Sequence, residues 1–140
     1  MNRRDGADGA RVLLVDDDAG VRRALRSLLE DEGVVVTGEA ADGAQAVGLA
    51  AGDPPDVVLM DLRMPRMDGV AATRAIRDRR PDVQVVVVTA YDDVALQVAA
   101  SRAGAFAYVV KGAGAPTLLD AVARASLVRR QLDRRRAAGA

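Results

Sequence analysis

Residues 57–69 read VVLMDLRMPRMDG, and the fold turns on the first five of them. Val57, Val58, Leu59 and Met60 are apolar at every position rather than at alternate ones, the pattern of a strand covered on both faces, and the run stops on a carboxylate, Asp61. Met64-Pro65 and Asp68-Gly69 then supply turn-forming residues that lead the chain into its next element. Outward from this stretch the same pattern recurs at Val12–Val15, Val34–Val36, Val83–Val88 and Phe106–Val110, each run short, rich in β-branched residues and bounded by Gly, Pro or Asp. Between the runs the apolar spacing turns helical, with Val21, Leu25, Leu28 and Leu29 after the first and Val70, Thr73 and Ile76 after the third.

Five strand–helix units with doubly covered strands predict an α/β, doubly wound (βα)5 fold. For five strands the flavodoxin-like arrangement follows, a parallel five-stranded sheet of order 2-1-3-4-5. The switch in winding then falls between strands 1 and 3, and the functional crevice should open beyond their carboxyl ends.

The chain has 140 residues, enough for one domain with its own core, and its 50% hydrophobic and 29% charged content is that of a globular protein. Its 20 basic and 20 acidic residues cancel, so no global charge draws it to nucleic acid or an anionic membrane. With no cysteine and no histidine, thiolate nucleophiles, cysteine or histidine zinc sites, His-assisted triads and a phosphohistidine carrier role are excluded. The opening MNRRDGADGA lacks a signal-peptide apolar core, and no run reaches the roughly 18 apolar residues of a membrane span, so a cytoplasmic location without membrane contact is expected. Residues 1–10 read as a disordered leader, 11–127 as the domain, and 128–140 as a basic helical extension or linker at the end of a long last helix starting near Thr117.

The chemistry concentrates at strand ends. Strand 1 runs into Asp16-Asp17-Asp18 and strand 3 into Asp61, so neighbouring parallel strands deliver several carboxylates to one crevice. Such a cluster repels itself unless a cation neutralises it, and an all-oxygen donor set suits a hard ion such as Mg²⁺, which keeps waters for an incoming phosphate. Asp18 is better read as the cap of the following helix. Thr89-Ala90 closes strand 4, where a hydroxyl can donate to a phosphoryl oxygen beside a small residue that leaves room for it. Lys111 closes strand 5 and is the one lysine in a chain whose other basic residues are all Arg, a compact charge suited to a phosphate or carboxylate.

Together VLLVDDD, VVLMDLRMPRMDG, VVVVTAY and AYVVK, in order at the ends of four strands, resemble the receiver domain of two-component response regulators over residues 11 to 125. The resemblance implies Asp61 as phosphoacceptor, Asp17 as a direct Mg²⁺ ligand, Asp16 as a ligand or water-mediated partner, and the backbone carbonyl of Arg63 completing the protein's share of the coordination. It also implies that Thr89, the Ala90 backbone N–H and Lys111 bind the phosphoryl group, with Lys111 pairing with Asp61 or the phosphate, and that Tyr108 is an aromatic switch residue following Thr89. Implied partners are a sensor histidine kinase or phosphotransfer protein, with homodimerisation or effector binding through the face of helix 4, strand 5 and helix 5.

Gly112 stands where many receivers carry proline after the lysine, as in some regulators with a helix-turn-helix output domain, which leaves the geometry of that loop open. The family usually attaches an output domain, and none is visible past residue 136. An aspartyl phosphohydrolase usually carries a second carboxylate two residues after the nucleophile, and Arg63 stands there instead. Neither a P-loop nor a dinucleotide fingerprint follows strand 1. The expectation is therefore a switch that promotes its own phosphorylation and dephosphorylation rather than a turnover enzyme. The arginines of the last helix read as a solvated helical end, with no direct nucleic-acid binding.

Overall fold

The computed structural model describes residues 6–139. Its elements alternate without exception: β1 Arg11–Val15, α1 Ala19–Asp31, β2 Val35–Ala40, α2 Gly43–Gly52, β3 Val57–Met60, α3 Gly69–Arg79, β4 Gln84–Thr89, α4 Val94–Arg102, β5 Ala107–Val110 and α5 Ala115–Gly139. The strands form one sheet of order β2-β1-β3-β4-β5, parallel at every pairing.

The uninterrupted apolar strands divide their side chains between two cores. Val12, Leu14, Val57, Leu59, Val86 and Val88 face α1 and α5, packing on Leu29, Leu118, Val122 and Ala125. Leu13, Val15, Val58, Met60 and Val85 face the other way, onto Ala46 and Ala50 of α2 and Ala72 and Ile76 of α3. A third cluster sets Val87 and Leu62 against Ala100 of α4. Each fully buried aliphatic side chain contributes about 1.5–3 kcal/mol, so losing either helical layer would unfold the sheet.

The helices start where aspartates permit. Asp18, Asp42, Asp68 and Asp93 cap α1, α2, α3 and α4, each accepting from backbone N–H groups of the first turn. α5 carries Pro116 in its first turn, where no intrahelical N–H is required, and begins at Ala115, slightly before the expected Thr117.

Two expectations shift. β2 covers Val35–Ala40 rather than Val34–Val36, because an edge strand with a partner on one side only tolerates Thr37, Gly38 and Glu39 in the ladder. Residues 1–5 of the expected disordered leader lie outside the described residues, but within residues 6–10 two side chains are buried. Ala7 and Ala10 are buried in the α1/α5 core, and the Gly9 N–H donates to the Gly33 carbonyl at 2.9 Å. Two small alanines fit beneath the sheet where a Gly- and Asp-rich composition had suggested solvent.

Candidate phosphoacceptor and cation site

In-register pairing builds the crevice. Val15 lies beside Met60 and Met60 beside Val87, so the residues that follow them leave the sheet at one level. The Asp61 N–H donates to the Val15 carbonyl at 2.9 Å and the Asp16 N–H to the Ala40 carbonyl at 3.1 Å, which carries the ladder up to the carboxylates. The Lys111 N–H donates to the Thr89 carbonyl at 2.6 Å, bringing the end of β5 alongside that of β4.

Asp16, Asp17 and Asp61 each offer a carboxylate oxygen within 4.8 Å of the others. Asp16 and Asp61 are 3% and 7% exposed, whereas Asp17 faces solvent. Burial, then the neighbouring Asp16 charge, pushes the Asp61 carboxyl above its ordinary value, against the opposing pull of Lys111 and of the Leu62 N–H that donates to Asp61 Oδ1 at 2.9 Å. Three carboxylates faced by one ammonium leave an excess of negative charge on hard oxygen donors, and that donor set fits a divalent cation of the Mg²⁺ kind. Asp18 takes no part in this cluster and caps α1, as its position suggested.

Lys111 Nζ lies 2.7 Å from Asp16 Oδ2 and 3.9 Å from Asp61 Oδ1, so its principal partner is Asp16 rather than Asp61. Thr89 is fully buried, and its Oγ1 accepts from the Tyr91 N–H at 3.3 Å. Ala90 is exposed at the crevice rim. The Tyr108 hydroxyl donates to the Tyr91 carbonyl. Burial, then the Asp93 and Asp92 charges, holds the Tyr108 phenol above its usual range, so it remains a donor.

Tyr91 thereby ties Thr89 to Tyr108, a link the residue types alone did not reveal. The Arg63 guanidinium also lies over the Tyr91 ring, 4.2 Å from its centroid, a cation–π contact across the crevice mouth. The available signal was an aromatic two residues past Thr89 and an Arg two past Asp61. The loop between β3 and α3 is anchored by Arg66, which adopts φ 69° and reaches Asp42 Oδ2 at 2.8 Å. Gly69 begins α3 against that loop; a Cβ there would lie 2.2 Å from the Asp61 carbonyl oxygen. The loop after Lys111 is a turn in which Gly112 takes φ 96°, a conformation glycine adopts readily, and no cis peptide occurs among the described residues.

Residues 12–123 match the family model for the response regulator receiver domain. The transcriptional regulatory protein PdtaR of Mycobacterium tuberculosis is 42% identical over 118 residues, 84% of this chain and 57% of that protein. A two-component response regulator of the LuxR family from an Aurantimonas species has the same fold at TM-score 0.82 and 36% identity, covering 86% of each chain. The receiver domain of sensor histidine kinase PA1611 from Pseudomonas aeruginosa, solved with a magnesium ion coordinated in its active site cleft, matches at TM-score 0.77 and 32% identity over 84% of this chain and 98% of its own.

The chain belongs to the response regulator receiver family, whose members are phosphorylation-dependent switches in two-component systems that work with histidine kinases or phosphotransfer proteins and bind Mg²⁺ at an acidic site. It spans a little over half the length of PdtaR. No helix among the described residues is long and apolar enough to cross a membrane.

Proposed function

We propose that Asp61 accepts a phosphoryl group from the phosphohistidine of a sensor kinase or phosphotransfer protein, or from a small phosphodonor. The observation that carries this reading is the convergence of Asp16, Asp17 and Asp61 oxygens within 4.8 Å at the end of β3, with Lys111 beside them. The Asp61 carboxylate attacks phosphorus, the bond from phosphorus to the donor's nitrogen or oxygen breaks, and the electron pair leaves with the donor. Mg²⁺, held by Asp16, Asp17, Asp61 and the Arg63 carbonyl, would neutralise the charge of the phosphoryl oxygens.

The chain's own groups do the rest. Lys111 exchanges its bond to Asp16 for one to the phosphoryl group. Thr89 keeps its Oγ1 as acceptor for the Tyr91 N–H and turns its hydroxyl proton toward a phosphoryl oxygen, and the Ala90 N–H donates to another. Drawing Thr89 toward Asp61 pulls on Tyr91 and so on the Tyr108 hydroxyl, which repacks the face of α4, β5 and α5. Homodimerisation or effector binding through that face is the output. Later attack by water on phosphorus breaks the bond to the Asp61 oxygen, releases inorganic phosphate and returns the carboxylate, so the domain promotes both its own phosphorylation and its own dephosphorylation.

We assign the receiver to residues 11–127 and its basic helical extension to 128–140, in a cytoplasmic regulator of the helix-turn-helix output class. Nucleic-acid contact is not assigned to these residues, because Arg129 and Arg136 are engaged by Asp82. A salt-sensitive mobility shift of DNA or RNA by the chain would reverse that assignment.

The central test is intact mass after incubation with acetyl phosphate, with and without Mg²⁺, on the wild type and Asp61→Asn. A metal-dependent gain of about 80 Da, absent in the variant, is expected. No adduct in a folded protein that binds neither Mg²⁺ nor beryllofluoride would refute the reading.

A further inference from the structure

The turn carrying Asp16 and Asp17 is gripped from outside the crevice. Arg22, in the first turns of α1, donates from Nη1 to the Asp16 carbonyl oxygen at 2.6 Å and from Nε to Glu39 Oε1 at 2.9 Å. Glu39 stands on β2, the edge strand that sends no side chain into the carboxylate cluster. Its second oxygen accepts from Arg26 Nη1 at 2.8 Å, and Arg26 also reaches Glu30 at 3.3 Å. Arg22 is well covered, with 17% of its side chain exposed, while Arg26 lies open at 41%. Among the described residues no hydrogen bond joins Arg22 to the carboxylate of Asp16, Asp17 or Asp61.

The atom that Arg22 holds matters because of peptide planarity. The Asp16 carbonyl belongs to the rigid peptide unit that carries the Asp17 nitrogen, so fixing that oxygen fixes the plane from which Asp17 departs. On either side the backbone is secured already, by the Asp16 N–H on the Ala40 carbonyl at 3.1 Å and by the Asp18 N–H on Asp16 Oδ1 at 2.9 Å. Arg22 secures the peptide between, for an aspartate that is otherwise exposed.

We infer that Arg22, steadied by Glu39, is a positioning residue that sets the Asp16–Asp17 peptide so that both carboxylates face one divalent cation. This rests on the receiver reading and deepens it. Two lesser roles make different predictions. An arginine acting only through its charge would repel a dication, so its removal would tighten Mg²⁺ binding. An arginine acting only as a helix-to-sheet ion pair would leave Mg²⁺ affinity untouched and change stability alone. Positioning has the opposite sign to the first role and a readout absent from the second.

The test is the Mg²⁺ dissociation constant of the unphosphorylated chain by calorimetry, with thermal midpoints alongside, for the wild type, Arg22→Gln, Arg22→Lys, Glu39→Gln and Arg26→Ala. Loss of Arg22 should weaken Mg²⁺ about 10-fold, in the range for residues that orient metal ligands without touching the metal. Arg22→Lys should recover part of the affinity, since one ammonium cannot span both partners as the guanidinium does. Glu39→Gln, which keeps the shape and removes the charge, should weaken binding in the same direction by less. Arg26→Ala breaks an exposed pair on the same Glu39 and should stay within about twofold of wild type.

Unchanged or tighter binding in folded Arg22→Gln or Glu39→Gln would overturn the assignment, as would an equal loss in Arg26→Ala. A folded wild type that binds no Mg²⁺ would instead overturn the receiver reading and this inference with it. Normal wild-type binding with an unaffected Arg22 variant would overturn this inference alone.

Discussion

Asp61 pays for its chemistry in stability, because its side chain is 9% exposed and beside another acid. Its folded pKa lies above its ordinary value of 3.8, so the folded state favours the protonated form. The resulting cost is absent at pH well below 4, grows as pH passes upward through the unfolded value, and is complete above the folded one. Asp61→Asn should therefore raise the thermal midpoint of the metal-free protein at pH 7, by roughly 2–6 °C, and the gain should shrink on acidification toward pH 4. Differential scanning calorimetry at the two pH values checks this, and a lower midpoint for the variant at pH 7 would contradict it. Gly69 works at the same scale. A Cβ there would lie 2.2 Å from the Asp61 carbonyl oxygen, so Gly69→Ala should cost on the order of 2 kcal/mol in urea unfolding and displace the acceptor loop.

At the scale of elements, α5 runs well beyond the residues that pack on the sheet. Its distal part is tied down by Arg129 Nη1 and Arg136 Nη1, which reach Oδ2 of Asp82, in the α3–β4 connection, at 2.9 Å and 3.2 Å. Arg129 and Asp82 are largely covered, with side chains 12% and 9% exposed, so removing the acid takes away the long-range ion pair and leaves Arg129 with Asp133 and the Pro55 carbonyl. Asp82→Ala should cost about 1–2 kcal/mol, an amount between exposed and buried pairs, and speed amide exchange along residues 130–139 while β3 stays protected. Uniform exchange across α5 and β3 would show that the tie is not local. The β4–α4 connection carries the link between Thr89 and Tyr108. Tyr108→Phe deletes the bond to the Tyr91 carbonyl and should leave Asp61 phosphorylation intact while weakening the change in amide exchange that beryllofluoride produces in α4.

For the whole molecule, a cation that binds only the folded crevice must stabilise the whole fold. At Mg²⁺ concentrations 100 times its dissociation constant the gain is about 2.7 kcal/mol, and it should fade on acidification as Asp61, whose carboxyl is held above its ordinary value by burial, takes up a proton. Thermal scans across a Mg²⁺ series at two pH values measure it. The architecture is legible in the residues, because the apolar runs of β1, β3 and β4, flanked by two shorter runs and separated by helical spacing, can bury both sheet faces in few ways. The sequence also determined which carboxylates meet, since parallel strands in register end at one level and Asp16 and Asp61 each follow a strand directly. The long-range polar contacts follow from the assembled fold. Lys111 and Asp16 are 95 positions apart, and no local pattern could choose Asp16 over Asp61 as the lysine's partner. Arg22 grips a backbone oxygen, which every residue has, so nothing in the residue types marks that contact. The packing of Ala7 and Ala10 depended on a space beneath the sheet that exists only once α1 and α5 are in place. Periodicity records what a strand or helix must bury; the choice among long-range polar partners rests on distances that the assembled chain alone sets.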